Sequence, residues 1–561
     1  MCGIAGLLAF GPLPEVALRA RVAAALALLH HRGPDAAGVH VASLRGCTVA
    51  LGATRLRVVG EACPLPLRDG AVTVALNGEV YNWRELRAEL SDGTPWQTQC
   101  DTEVLARLWR VDGPLLDRLN GMFSLAVLDE AAGRLRLARD RAGEKPLFLA
   151  ETQIDGVPAV AWASEIKALR ALGVELREVA CPELATLEAD CLDGTPFAGV
   201  RRMPPGTCLD WNLPDPEPLE RQWWTLSTEV DEDLDVETAA EELLALLRDA
   251  VRLRLSDEVP VALLLSGGLD SAVVQAIAQC DRLYCATWPG EIDNLTPALL
   301  ASGGRSVVPV SFDLAGLRAA LPEVAYHLDT PATWTAVAQW FLAQRIAADG
   351  ATVVLSGEGA DELLGGYSRY RLLWWLDQAA ADEHLRLYRP TRELLVGSDD
   401  DVLATLLNRG GPATLDHAPG LVARYGGAGP LTRRMARVDW HTTMQVLLRM
   451  ADRMFAAHSL ENRAPFLDYR VIELCARMPE RIKITAGESK HVLRIVARWL
   501  GVPDQIVDER SKRGLVLPWG RWTGTAGARG QWDRAGFAAE MTAAWRTAFG
   551  LPGQGRAQIA A

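Results

Sequence analysis

The sequence lacks the short patterns that mark metal, dithiol and nucleotide-loop sites. Its ten cysteines include no CxxC pair and no HExxH segment occurs, so the spacing signals for zinc binding and dithiol redox chemistry are missing. No Gly-Lys dipeptide occurs either, which excludes a Walker A loop. In a chain of this length the cysteines are better interpreted as reduced thiols than as a disulfide framework.

Long hydrophobic runs and excess positive charge are also absent. No uninterrupted apolar stretch reaches membrane-spanning length. The net charge of −13 disfavours a wide nucleic-acid footprint or an anionic-membrane surface, although a local phosphate site stays open. No basic segment precedes the apolar opening, so a secretion signal is not indicated. We therefore expect a cytoplasmic protein with neither nucleic acid nor membrane as partner.

Lysine is scarce, because only five of the 58 basic residues are lysines and the others are arginines. Arginine therefore serves wherever a generic surface cation is enough. We expect the remaining lysines to be enriched at places that need a compact ammonium group. They are Lys145, Lys167, Lys483, Lys490 and Lys512.

At 561 residues the chain exceeds what one hydrophobic core usually serves, so two domains are expected. Short apolar runs separated by turn residues, with few helical stretches, predict a layered α+β domain first. Farther along, short apolar strands alternate with helical patterns, which predicts an α/β domain with a parallel sheet and a largely helical C-terminal part. The predicted boundaries are 1–210 for the first domain, 211–236 for an acidic, proline-rich linker, 237–525 for the second domain and 526–561 for an unassigned tail.

The most informative segment of the second domain is VPVALLLSGGLDSAVV. A buried strand is predicted to end at Leu265, and a loop from Ser266 to Ser271 then turns into a helix. Its glycines permit close backbone approach, and hydroxyl and N–H groups at a helix N-terminus offer an anion site. An ordinary strand–turn–helix junction with an Asp or Ser cap is the alternative.

An aspartate in a phosphate-binding loop repels its ligand unless a divalent cation lies between the charges, so Asp270 calls for a second acidic partner. The segment ATVVLSGEGADELLGGY supplies Asp361 after another buried strand. The ends of two parallel strands meet at the carboxyl edge of a sheet, where such folds bind ligands. An acidic, solvated loop is the alternative for this segment.

These two segments resemble the ATP-pyrophosphatase domain of the glutamine-hydrolysing asparagine synthetases. Three later segments also resemble that family and occur in its order: HSLENRAPFLDYRVIEL, GESKHVLR and SKRGLVLPWGRW. The resemblance covers about residues 235–525. It implies that ATP binds, that a substrate carboxylate attacks the α-phosphate, and that pyrophosphate leaves behind an acyl-adenylate.

The resemblance also implies roles for individual residues. Mg²⁺ would be bound by Asp270 and Asp361, Lys490 and Lys512 would face phosphoryl oxygens, and Glu358 would hold ammonia or accept its proton. Arg463 is expected to form a structural ion pair that fixes the helical part. The implied ATP-binding residues are Leu265, Ser266, Gly267, Gly268, Asp270, Ser271, Ser356, Gly357, Glu358 and Lys512.

The N-terminal part resembles the N-terminal-nucleophile (Ntn) glutamine amidotransferase domains. The segments that carry this resemblance are MCGIAG, HRGPD, LNGEVYN, CDTEV and NGMFSLAVLD, in the family's order across roughly residues 1–210. Purine-pathway and glucosamine-phosphate amidotransferases share this half, but their second domains carry no SGGLDS. The combination of both halves therefore points to the synthetases.

This resemblance implies that Cys2 is a nucleophile once Met1 is removed. Its own α-amine, with a pKa of about 7.7–8.0, could then take the proton of the thiol. The implied oxyanion donors are Asn77 and the Gly78 N–H, and the implied glutamine-binding residues are Arg55, Asn77, Glu79 and Asp101. In isolation, Cys2 would be interpreted as a small buried residue.

Three hypotheses follow for the function. In the first, ammonia from glutamine converts an adenylated aspartate to asparagine. In the second, the chemistry is the same but the acceptor is another carboxylate of specialised metabolism, because the segment 286–312 is short and lacks a histidine pair. In the third, the chain is a scaffold that has lost catalytic activity. That hypothesis would predict substitutions at catalytic positions, but those positions are intact. A homodimer is one assembly that the sequence leaves open.

Overall fold

The computed structural model describes residues 2–60, 63–90, 93–110, 116–179, 194–288, 293–331, 334–381, 398–407, 418–510, 515, 517–524 and 534–551. The strands are β1 Gly3–Ala9, β2 Ala36–Leu44, β3 Cys47–Arg55, β4 Leu67–Asp69, β5 Val72–Val80, β6 Gly121–Asp129, β7 Arg134–Arg139, β8 Phe148–Ile154, β9 Val157–Ala163, β10 Val200–Arg202, β11 Thr207–Asn212, β12 Leu219–Gln222, β13 Val261–Leu264, β14 Arg282–Ala286, β15 Val307–Val310, β16 Val353–Leu355 and β17 Glu461–Arg463.

The helices of the N-terminal half and of the parallel-sheet region are α1 Glu15–Leu28, α2 Trp83–Glu89, α3 Asp101–Arg110, α4 Ile166–Leu169, α5 Val236–Arg254, α6 Leu269–Ala278, α7 Leu295–Ala301, α8 Leu314–Leu328, α9 Trp334–Ala348 and α10 Ala360–Leu364. Those that follow are α11 Ser368–Ala381, α12 Asp399–Leu407, α13 Ala418–Tyr425, α14 Leu431–His441, α15 Thr443–Ala456, α16 Tyr469–Arg477, α17 Glu480–Lys483, α18 His491–Trp499, α19 Asp504–Val507, α20 Trp519–Trp522 and α21 Arg534–Phe549. None of the described helices has the length and hydropathy needed to cross a bilayer.

Two antiparallel sheets build the N-terminal half. Their strand orders are β10-β8-β9-β1-β3-β2 and β12-β11-β7-β6-β5-β4. The inward side chains of both sheets share one core, in which Leu8, Leu51, Leu137 and Trp162 are fully buried. Strand β1 is central and buried along its whole length, so the residue before it is held at the centre of a sheet edge. The predicted layered α+β class is confirmed.

The C-terminal half is built on a parallel sheet with the order β15-β14-β13-β16-β17. Helix α5 leads into it; Asp235 caps this helix by accepting the Thr238 N–H at 2.8 Å. Strands β13 and β16 are neighbours in the sheet, so the loops that follow them lie side by side. The predicted parallel sheet and the largely helical C-terminal part are confirmed.

Two segments contain more structure than their composition indicates. Strand β12 lies inside the acidic stretch 211–236 and pairs with β11 as an exposed edge strand. Helix α21 lies in the tail, and Trp545 of this helix packs against Phe197 with ring centroids 5.5 Å apart. Of the short segment 286–312, residues 289–292 lie outside the described residues, and the remainder includes α7.

Candidate active sites

Cys2 stands directly before the central strand β1 and is partly exposed. Its carbonyl oxygen accepts a hydrogen bond from Arg32 Nε at 2.9 Å. Burial raises the pKa of the Cys2 thiol. Little thiolate therefore forms unaided, and nucleophilic attack by this sulfur needs a nearby base.

The predicted oxyanion donors lie on β5. Asn77 is fully buried, and its Nδ2 donates to Ser124 Oγ and Ser164 Oγ, each at 3.3 Å. Gly78 has a φ of +140°, and a Cβ added there would lie 1.9 Å from the Met122 carbonyl oxygen. Only glycine fits this position, so its N–H direction is fixed by the backbone.

The three charged residues predicted to bind glutamine come together beside Cys2. Asp101 begins α3 and accepts the Val80 N–H at 2.9 Å, and its charge interacts with those of Arg55 and Glu79. Burial raises the pKa of both carboxyls. Asp101 also acts electrostatically on the Cys2 thiol, so these groups share one site.

An ion-pair network joins this site to the parallel sheet. Arg463 Nη2 lies 2.8 Å from Glu461 and 3.6 Å from Glu79 Oε2. The ion pair expected for Arg463 is therefore present, but one of its partners is a predicted glutamine-binding residue of the N-terminal half. Sequence reasoning did not find this contact, since nothing in either segment indicates its partner.

The second site is built where β13 and β16 end. Ser266 Oγ and Ser271 Oγ lie 3.1 Å apart, and the Gly268 N–H donates to Ser266 Oγ at 3.3 Å, so the loop is held by its own hydroxyls. A Cβ added to Gly357 would lie 2.9 Å from Asp270 Cβ. The two loops therefore approach as closely as their glycines permit.

Asp270 and Asp361 share one cation. Lys490 Nζ lies 2.6 Å from both carboxylate oxygens of Asp270 and 2.6 Å from Asp361 Oδ1. Burial opposes the charge of this ammonium group, but the two carboxylates outweigh burial and raise the pKa of Lys490. The two aspartates predicted to share a divalent cation are thus close enough to do so.

A cleft opens beside Asp270, Asp361 and Lys490. Its lining includes Gly267, Gly268, Ser489, Arg494 and Arg510 in addition to the three charged residues. Sequence reasoning did not assign Arg494 or Arg510, although Arg494 stands inside the GESKHVLR segment. Lys512, which was predicted to face a phosphoryl group, lies outside the described residues.

Glu358 follows β16 on the other side of the same loop. It accepts hydrogen bonds from Asn462 Nδ2 at 2.9 Å, Gln339 Nε2 at 3.2 Å and Ser356 Oγ at 3.4 Å. Burial raises the pKa of Glu358 to about 7 despite these donors. A carboxyl group with such a pKa can exchange a proton near neutral pH.

Comparisons with known proteins agree on both halves. A family model described as asparagine synthase matches residues 242–543, and one described as a glutamine amidotransferase domain matches residues 1–224. A protein of Mycobacterium tuberculosis that bears the name of a glutamine-hydrolysing asparagine synthetase is 30% identical, over 97% of this chain and 93% of that protein. Asparagine synthetase (glutamine-hydrolysing) 1 of Bacillus subtilis is 28% identical, over 93% of this chain and 88% of that protein.

Among solved structures, a glutamine phosphoribosylpyrophosphate amidotransferase from B. subtilis matches 63% of this chain and 81% of its own. The TM-score is 0.30 and the sequence identity is 18%.

Proposed function

The chain belongs to the glutamine-hydrolysing asparagine synthetase family, and from this premise we propose that it transfers the amide nitrogen of glutamine to the side-chain carboxylate of aspartate. The products would be asparagine, glutamate, AMP and pyrophosphate. The observation that carries the proposal is the contact of Lys490 Nζ with both Asp270 and Asp361, each at 2.6 Å, in a chain that also carries a partly exposed Cys2 before β1.

The first half-reaction uses Cys2 after removal of Met1. The free α-amine takes the thiol proton, and the sulfur attacks the amide carbon of glutamine. The Gly78 N–H and Asn77 Nδ2, which would leave one of its two serine partners, stabilise the oxyanion. Arg55, Glu79 and Asp101 hold the α-carboxylate and α-amine of glutamine. The protonated α-amine then gives its proton to the amide nitrogen, the C–N bond breaks, and ammonia leaves. Water hydrolyses the thioester to glutamate and restores the thiol.

The residues of the second site fit Mg²⁺, because hard carboxylate oxygens from two loops already converge on one cation position, which Lys490 fills. Asp270 and Asp361 would hold the metal. When bound, Mg²⁺ would supply charge neutralisation for the pyrophosphate group. Lys490, with Lys512 from the neighbouring motif, would add positive charge around the phosphoryl oxygens of ATP.

The second half-reaction begins when the aspartate side chain attacks the α-phosphate of ATP and pyrophosphate leaves. Ammonia from the first site then attacks the acyl-adenylate, and Glu358 takes a proton from the nitrogen. Ammonia released into neutral water would be protonated and lose its nucleophilicity. Transfer within the protein is therefore part of the proposal.

The test is pyrophosphate release with ATP, Mg²⁺ and glutamine across a panel of carboxylic acids. We expect aspartate to give the signal, with asparagine formed in equal amount. Glutamate, one methylene longer, and succinate, which lacks the amino group, are matched controls. A signal from a different carboxylate, with none from aspartate, would replace aspartate as the acceptor. No signal from any acid would contradict the function.

A further inference from the structure

Glu358 is clamped between two amide side chains from different elements. Gln339 of α9 donates through Nε2 to Oε1 at 3.2 Å, and Asn462 of β17 donates through Nδ2 to Oε2 at 2.9 Å. Gln339 is 3% exposed and Asn462 is 8% exposed. No sequence motif gives either residue a role. Gln339 lies in an apolar helix, and Asn462 occupies a variable position of the S-x-E-x-R segment.

Both amides leave their carbonyl oxygen without a partner. Gln339 Oε1 and Asn462 Oδ1 are buried and accept no hydrogen bond from any described residue. A buried acceptor without a donor is rare in proteins, because it loses its hydrogen bonds to water without compensation. Here the two unpartnered acceptors belong to the two amides that donate to one carboxylate, and a ligand with several N–H donors would supply what both lack.

We propose that Gln339 and Asn462 complete a binding site for ammonia around Glu358, in which their carbonyl oxygens accept N–H hydrogen bonds from the nucleophile. This inference rests on the proposed function and deepens it. Ammonia and ammonium carry three or four N–H donors, whereas water carries two O–H donors. A site with two acceptors and a carboxylate therefore matches the nitrogen species better than it matches water.

The location of Asn462 supports the same assignment. Side chains alternate between the two faces of a strand, so Asn462 points away from its neighbours Glu461 and Arg463. Arg463 contacts Glu79 of the glutamine site, while Asn462 contacts Glu358. Adjacent residues of one three-residue strand thus contact the predicted glutamine site on one side and Glu358 on the other.

This site serves the attack of ammonia on the acyl-adenylate. The ammonia nitrogen forms a bond to the acyl carbon, and the bond from that carbon to the phosphate oxygen of AMP breaks. Glu358, as a carboxylate, receives one proton from nitrogen, and AMP leaves with the electron pair. The two amides act through position: they orient the nitrogen lone pair and keep Glu358 aimed at the N–H group.

The test uses the full chain with Gln339→Met and Asn462→Leu, which keep side-chain volume and remove the amides. We expect the KM for free ammonia to rise about fivefold to tenfold in each variant, in line with the loss of one hydrogen bond. The KM for ATP and glutaminase turnover at Cys2 should stay unchanged. Gln344→Leu, an exposed glutamine on the same helix, is the matched control.

The pH profile separates this role from a merely structural one. The amide donors lower the pKa of Glu358, which burial raises to about 7, so their removal raises it further. Glu358 must be ionised to accept a proton. The acidic limb of the pH–rate profile, measured at saturating free ammonia, should therefore move to higher pH in both variants. In Gln344→Leu it should not move.

An unchanged KM for ammonia together with an unchanged acidic limb would overturn the proposal while leaving the proposed function intact. If the wild type forms no product from any carboxylate, the proposed function is wrong. The inference about Gln339 and Asn462 is then tested by ammonium binding alone. Ammonium chloride should then raise the melting temperature of the wild type more than sodium chloride does. If the difference in melting temperature between the two salts were the same in the wild type and in a variant that combines Gln339→Met with Asn462→Leu, the inference would be overturned.

Discussion

Replacement of Cys2 by alanine is expected to abolish product formation from glutamine while leaving product formation from ammonium salts intact. The thiol is the only group in the proposed first half-reaction that attacks the amide carbon, and removal of a nucleophile lowers turnover by about 10⁴-fold or more. The second site lies on other strands and keeps all of its residues. Glutamate and AMP, measured in parallel with each nitrogen source, give both halves of this result.

Cys47→Ala provides the matched control, because Cys47 is another thiol of the N-terminal half and starts β3 at the end of the sheet opposite to Cys2, where Thr48 pairs with Ala9. That variant should retain both activities. A fusion that prevents exposure of the Cys2 amine should behave like Cys2→Ala, since it removes the base and keeps the thiol. Glutamine-driven synthesis that survives in Cys2→Ala would show that the first site has been assigned wrongly.

Asp361→Asn is expected to give the reciprocal pattern. Product formation should fall on the order of 10³-fold with either nitrogen source, because the site loses a ligand charge for the metal and one of the two carboxylates around Lys490. Glutamate formation at Cys2 should continue. Pyrophosphate release and glutamate release, followed in the same reaction, measure the two sites separately.

The control for this variant is Asp281→Asn, which removes a carboxylate that is 90% exposed and far from β16 in the chain. It should leave both rates near those of the wild type. If Asp361→Asn still released pyrophosphate at the wild-type rate, the carboxylates would have no part in the nucleotide chemistry. The metal assignment would then have to be abandoned.

Local chemistry in the sequence was enough to predict where the second site lies. SGGLDS and SGEGADE each follow a short buried strand, and parallel strands align their carboxyl ends. Asp270 and Asp361 indeed meet at Lys490. Gly78, by contrast, was assigned only through the resemblance to the amidotransferase domains, and the structure supplies the reason for a glycine there, because an added Cβ would lie 1.9 Å from the Met122 carbonyl oxygen.

Contacts between distant segments could not be predicted in the same way. Gln339 is one polar residue in an apolar helix, and Asn462 stands at a position that the motif does not constrain. Their convergence on Glu358 depends on how α9 and β17 pack, which no local pattern encodes. Strand β12 was interpreted as linker because an exposed edge strand can carry the same charged and proline-flanked composition.

We propose that nitrogen released at Cys2 is consumed at the Glu358 site of the same chain. The isotope content of the product tests this proposal most directly. Glutamine carrying a heavy amide nitrogen is supplied together with an excess of unlabelled ammonium chloride and the accepting carboxylate. We expect the amide formed to retain the heavy nitrogen well above its share of the ammonia pool. A label diluted to that share would show that the nitrogen passes through solvent and that transfer within the protein does not occur.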